Sequence, residues 1–196
     1  KAELEGHIHM HRLITMYWVL KQLNRDYRYM ITTDVRDVIF QWNPSEWLEN
    51  KLEKDILVST ENVLYEHESW GKKNILEGYN ELLWDRYRNN LSCNVGVLAG
   101  KYQSMRDLLL LNYLVSQAGN TEHFTDQSSF NFIIHNSIAK DAVQITGIEE
   151  DWALQLGTLD NENLIGKQFH KKEDFVIIHQ YDRVPEINEY VTKLLS

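Results

Sequence analysis

Between Tyr29 and Gln41 the chain reads Tyr-Met-Ile-Thr-Thr-Asp-Val-Arg-Asp-Val-Ile-Phe-Gln. Strand-forming residues run into Asp34, two residues intervene, Asp37 follows, and apolar chain resumes at once. The composition predicts a buried strand over 28–34 and a short second one over 38–40. Such a strand delivers Asp34 and Asp37 to the edge of a sheet. Carboxylates there suit a hard divalent cation, which takes oxygen ligands and commonly keeps substrate phosphates as the others. Near the other end, Phe175–Ile178 is a second apolar run, and it breaks into His179-Gln180-Tyr181-Asp182-Arg183. Two strand ends, one bearing carboxylates and one a histidine, point to one metal–phosphate site built from both ends of the chain. Met30–Thr33 and Val176–Ile178 are therefore expected in one sheet, their C-terminal ends on the same edge.

The segments between alternate in type. Helices are expected over 3–24, 44–52, 73–90, 102–117, 126–138 and 184–195. Further strands are expected over 55–60, 93–99, 143–146 and 174–179. Pro44 sits where a helix's first turn tolerates it. Alternating strands and helices with no linker imply one α/β domain over 1–196: a mixed, mainly parallel central sheet with helices on both faces.

Bulk properties narrow the partners. The 196 residues suffice for one substantial core, and the formal net charge of −9 argues against nucleic acid, which calls for a basic patch. An acidic chain that handles an anionic substrate needs a cation to offset the phosphates. The single cysteine, Cys93, precludes an internal disulfide and suggests a reducing, cytoplasmic setting. No apolar run reaches membrane-spanning length. The helix that opens the chain is amphipathic, with Arg12 among its polar residues. Because the chain enters that helix almost at its start, it is expected to be a fragment of something longer.

Other positions carry a functional reading beside a plainer one. Asp34 and Asp37 also fit a polar turn with Arg36 pairing a carboxylate. Phosphatases of the haloacid-dehalogenase type place aspartates two apart after a buried strand, and Arg36 occupies that second position here. Gly96, inside Ser92–Leu98, permits close approach of a ligand or of another backbone, and equally fits a glycine bulge. Asn94 beside it offers donors and an acceptor. Thr125 is placed to cap a helix, with Asp126 favouring its N-terminus; alternatively Asp126 and Gln127 point into a pocket and bind sugar hydroxyls. His7, His9 and His11 spread around a helix and read as surface or rim residues.

The order of these pieces resembles the metal-dependent glycosyltransferases of the GT-A fold, closest in plan to the glycogenin-like and bacterial galactosyltransferase family. Those proteins carry a basic residue on a helix, an aspartate motif at a strand end, an Asn-Ala-Gly-Val strand, an Asp-Gln helix start and a late metal-binding histidine. Arg12, Asp34 with Asp37, Asn94-Val95-Gly96-Val97, Asp126-Gln127 and His179 stand in those places. The resemblance spans nearly the whole chain. Two departures stand out. The aspartates are Asp-x-x-Asp, not Asp-x-Asp, so that aligning Asp34 on the second leaves Thr32 at the first. The family's first strand, which cradles the nucleotide base, has no counterpart.

The resemblance implies transfer of a sugar from a nucleotide-diphospho-sugar to a glycan, protein or lipid acceptor. It implies Mn2+ or Mg2+ held by Asp34, Asp37 and His179. Arg12, Asp34, Arg36, Asn94, Gly96 and Arg183 would bind the donor, and Asp126 and Gln127 would be catalytic. Inversion would make Asp126 the base; retention would place Gln127 near the anomeric carbon. The rival is a sugar- or nucleotide-binding domain of the same fold that has lost turnover, favoured by the altered aspartate spacing. Convergence of the carboxylates on His179 separates the two. A nucleotidyltransferase with the same sheet stays open, because its Gly-rich signature would lie upstream.

Overall fold

The computed structural model describes residues 7–23, 25–120, 122, 125–136, 139–165 and 172–196. Helix α1 (Ile8–Leu23) leads into β1 (Tyr29–Thr33), β2 (Val38–Phe40), α2 (Pro44–Lys51) and β3 (Ile56–Leu64). Helices α3 (Ser69–Gly78) and α4 (Glu81–Tyr87) follow, then β4 (Leu91–Lys101), α5 (Tyr102–Ser116) and α6 (Asp126–Ile134). Strands β5 (Val143–Thr146), β6 (Ala153–Gln155) and β7 (Ile177–His179) and helix α7 (Pro185–Leu195) complete the order. The expected helical residues 3–6, 24, 137 and 138 lie outside the described residues.

The α/β expectation holds, with mixed sheets flanked by helices. Strand direction differs from it. Sheet one runs β1-β4-β3-β5 and sheet two β2-β7-β6. Of the pairings among the described residues, β1–β4, β3–β4 and β2–β7 are antiparallel, and only β3–β5 and β6–β7 are parallel. The physical reason lies between β3 and β4. One helix would carry the chain back across the sheet and make the next strand parallel. Two helices stand there instead, because the pattern expected as one helix over 73–90 breaks at Tyr79-Asn80. The Asn80 side chain accepts from the Leu83 N–H and starts α4 afresh. The return trip leaves β4 antiparallel to β3.

The single-sheet expectation is also corrected. Met30–Thr33 belongs to sheet one and is only half-buried, whereas Ile177–His179 belongs to sheet two and is buried. Their C-terminal ends nevertheless meet. The chain steps from one sheet to the other across Asp34–Asp37, so that Val38 already pairs with His179.

Side-chain alternation explains the layers. Ile56, Val58 and Leu98 face one side of sheet one and pack with Met105, Leu108, Phe130 and Ile133 of α5 and α6. Leu57, Val97 and Ala99 face the other side and meet Trp47, Trp152 and Ile177. That second face is covered by α2 and sheet two rather than by a full helical layer. Behind it, Leu154, Ile178 and Phe175 pack against residues of α7. Among the described residues, no helix is long and apolar enough to cross a membrane.

Candidate functional site

Asp34 extends β1 by one residue: its N–H donates to the Gly96 carbonyl at 2.8 Å. Asp37 ends the turn just before β2, and its carbonyl accepts from Gln180 N–H at 2.7 Å. These two backbone bonds, one into each sheet, aim both carboxylates at His179. Asp34 Oδ2 lies 3.5 Å from His179 Nε2 and Asp37 Oδ1 lies 3.9 Å from it. One ligand atom from each of the three residues falls within 4.8 Å of the others. The Asp-x-x-Asp spacing thus presents both carboxylates, because the turn between the sheets brings Asp37 back beside Asp34.

The imidazole is held in one orientation. His179 Nδ1 lies 2.6 Å from Gln155 Oε1, a group that only accepts, so Nδ1 carries the proton. The lone pair on Nε2 then faces the two carboxylates, and that buried atom has no hydrogen-bond partner among the described residues. A lone pair and two carboxylate oxygens repel one another unless a cation stands between them. Ligands at about 2.1 Å from an octahedral ion stand about 3 Å apart when adjacent and about 4.2 Å when opposite. The three donors match that spacing after a small inward shift. Gly96 makes the arrangement possible: a Cβ there would stand 2.3 Å from His179 Cε1. The close approach that this glycine allows is that of the histidine ring.

Arg12 reaches the centre from α1. Its Nη1 donates to Asp34 Oδ1 and its Nη2 to Asp126 Oδ2, each at 2.8 Å. One guanidinium therefore ties α1 to the end of β1 and to the start of α6. Burial opposes ionisation of Asp34, but the charge and hydrogen bond of Arg12 help to hold its pKa below the ordinary carboxylate value. His9, one turn before Arg12, lines the cavity beside Asp126. Burial, with help from the Arg12 charge, pushes its pKa below that of free imidazole.

The capping reading of Thr125 does not hold. Its backbone is helical, it makes no side-chain cap, and its hydroxyl lies 2.8 Å from the Met10 sulfur. Asp126 is spent on Arg12, and Gln127 is buried beside Glu61. Helix α6 is fixed on β4 by Asn131, which accepts from Cys93 N–H at 2.9 Å and donates to Cys93 carbonyl at 2.8 Å. This clamp sets where Asp126 and Gln127 sit.

A cavity of about 460 Å³ opens above these groups, within the usual range for small-molecule sites. Arg12, Asp34, Asn94, Gly96, Asp126, Gln127, His179 and Arg183 all line it. Arg36 does not: it is exposed and lies 3.6 Å from Asp182. The Asn94 amide is engaged within the wall, donating to Glu61 Oε1 at 2.7 Å and accepting from Gly96 N–H at 2.6 Å.

Sequence reasoning missed Glu61, Glu68, Gln155 and Trp70. Glu61 was beyond the expected end of β3, which continues through a bulged half to Leu64 with Asn62 in the left-handed region (φ 54°). The bulge turns Glu61 into the cavity wall, where it accepts from Ser92 Oγ at 3.1 Å as well as from Asn94. Burial, reinforced by the charge of Glu68, raises its pKa above the ordinary glutamate value, with the Asn94 and Ser92 hydrogen bonds opposing. A lone glutamate inside an otherwise apolar and neutral run was the available signal.

No protein-family model matches the sequence, and no curated protein matches it. Among solved structures, it is similar to the crystal structure of mouse xyloside xylosyltransferase 1 in its apo form, with a TM-score of 0.51 at 16% identity. The fold is similar to that of a glycosyltransferase. The match covers 89% of this chain and 64% of that one, so the chain spans less than two thirds of its neighbour's length. At that identity the likeness concerns the fold.

Proposed function

We propose that this chain is a metal-dependent glycosyltransferase domain of the GT-A type, moving a sugar from a nucleotide-diphospho-sugar to an acceptor hydroxyl. The observation that carries the reading is the buried Nε2 of His179, unpartnered among the described residues, which faces Asp34 and Asp37 beside a 460 Å³ cavity that His179 and Asp34 line. Convergence of these three groups favours an enzyme over a binding domain that has lost its centre. The fold likeness supports the same reading. Mn2+ or Mg2+ bound there would supply Lewis-acid stabilisation of charge on the departing diphosphate, and a site mixing imidazole with carboxylates suits Mn2+ better.

The chain's own groups divide the remaining work. Arg183 brings positive charge to the cavity for the diphosphate. Arg12 neutralises Asp126 and one oxygen of Asp34, leaving the other oxygen for the metal. Gln127, which lines the cavity, contacts the donor sugar. In the transfer, the bond from the anomeric carbon to the diphosphate oxygen breaks, its electron pair leaves with the phosphate, and the acceptor oxygen bonds to that carbon. The acceptor proton passes to Glu61, which lines the cavity: Asp126 is committed to Arg12, whereas Glu61 has a raised pKa and, among the described residues, no cation paired with it. Retention or inversion follows from the donor's pose. The single cysteine fits a cytoplasmic setting.

Calorimetry with uridine and guanosine diphosphates, with and without Mn2+, tests the assignment. Asp37→Asn should remove most of the metal-dependent affinity, and His179→Ala should weaken it less, since water can replace one neutral ligand. Parental metal and nucleotide binding by both variants would refute the centre.

A further inference from the structure

The main cavity does not end at its own wall. A second cavity of about 230 Å³ shares Glu68, Ser69, Gly157, Thr158 and Arg183 with it, so the two form one groove leading away from the metal centre. The far cavity is polar, flanked by His67, Asp160 and Asn161.

Two features mark the main cavity next to the shared residues. Gln180 lines the main cavity, is 8% exposed, and its Oε1 is buried without a hydrogen-bond partner among the described residues. Its backbone is in the left-handed region (φ 63°, ψ 34°), an uncommon conformation for a residue with a side chain. Opposite it stands Gly157, where a Cβ would lie 2.3 Å from that same Oε1. The chain thus accepts a rare backbone and gives up a side chain to keep an unsatisfied acceptor at this point. Such an atom calls for a donor.

Trp70 is the second feature. It lines the cavity and is 46% exposed. The first turn of α3 that carries it is fixed by Glu68, whose carboxylate accepts from the N–H groups of Trp70 and Gly71. A rigid aromatic face beside a row of polar groups matches a pyranose, which has an apolar C–H face and a rim of hydroxyls. Along the part of the groove away from the metal centre, Glu61, Glu68 and Asp160 outnumber Arg183, which disfavours an anionic acceptor. Among the described residues, the groove's lining forms no long apolar trough for a lipid chain.

We propose that the acceptor is a neutral oligosaccharide of at least two rings, the reacting ring lying on Trp70 with a hydroxyl donating to Gln180, the next ring filling the second cavity beside Asp160. The inference rests on the glycosyl-transfer reading and names the acceptor for that same site.

The test uses the full chain with Mn2+ and uridine diphosphate, titrated with methyl glucoside, galactoside and xyloside and with maltose, lactose and xylobiose. At least one disaccharide should bind ten-fold or more tightly than its monosaccharide. Trp70→Ala should weaken the disaccharide ten-fold or more, and Trp70→Phe should largely restore it. Asp160→Ala should bring the disaccharide down to the monosaccharide's affinity and leave the monosaccharide unchanged. None of these three variants should alter uridine diphosphate affinity. Nucleotide binding with no saccharide binding, equal affinity for one ring and two, or indifference to Trp70→Ala would each overturn the oligosaccharide proposal while leaving glycosyl transfer standing. Saccharide binding that depends on Trp70, with no metal-dependent nucleotide binding, would keep the groove as a sugar site and overturn the transfer reading.

Discussion

At the scale of single residues, Glu61 and Gly96 show how the cavity is made at a cost to the fold. The folded pKa of Glu61 is raised, so between its ordinary value of 4.5 and the raised one the native state binds more protons than the unfolded state. Stability from this group must then fall as pH rises through that window. Glu61→Gln should remove the fall, leaving a protein at least as stable at neutral pH, while lowering turnover through loss of the proton acceptor. Urea denaturation from pH 4 to pH 8 checks the first half, and a steeper fall in the variant would contradict it. Gly96→Ala puts a methyl group 2.3 Å from the His179 ring. Overpacking of this kind costs about 1–3 kcal/mol. Here the ring must also move off its Gln155 partner, so Mn2+ affinity should drop along with the melting temperature. An unchanged Mn2+ isotherm would show that the ring does not contribute a ligand.

Among elements, α6 is the one whose placement matters most. Its residues Asp126, Gln127, Ser128, Ser129 and Asn131 are buried although polar, an arrangement that survives only where partners are supplied. Asn112 supplies one, accepting from Ser129 Oγ at 2.6 Å. Asn131 supplies the largest share by holding both backbone groups of Cys93. Asn131→Ala leaves those two groups orphaned, at about 1–3 kcal/mol each. The expected result is a clear loss in denaturant midpoint together with a lower turnover, since Asp126 and Gln127 lose their fixed position over the cavity. Full activity in a destabilised variant would mean that α6 is positioned by Arg12 alone.

For the molecule as a whole, the metal centre is a joint between two sheets. Asp34 ends a strand of sheet one, Asp37 precedes a strand of sheet two, and His179 ends another strand of sheet two, 142 positions after Asp37 (179 − 37). A cation held by all three binds only the folded chain, because only folding gathers them. At a free Mn2+ concentration one hundred times its dissociation constant, the native state gains about 2.7 kcal/mol. Thermal melts with increasing Mn2+ should therefore shift upward cooperatively over the whole chain, and Asp37→Asn should abolish most of the shift. A rise confined to one of two separate transitions would place the metal on one sheet only.

What was legible in the sequence was local. Periodicity placed β1, β2, α2, α5, β5 and α7 to within a residue or so, because each carries its pattern in consecutive residues. The strand ends at Asp34 and His179 stood out because polarity changes abruptly there. The Asp-Gln opening of α6 was visible for the same reason. The tertiary structure decided the rest. The break between α3 and α4 hangs on one capping bond from Asn80, and with it the antiparallel course of β4. Strand β6 is three residues long and exists through its pairing with β7, so it had no pattern to read. Whether β1 and β7 share a sheet depends on a turn at Asp34–Asp37 whose direction is set by what packs on either side. Glu61, Gln155 and Trp70 reach the site through a bulge, a second-sheet pairing and a helix start, each far in sequence from the residues they serve. Residue types and spacing determine which groups are available for chemistry; long-range packing determines which of them meet.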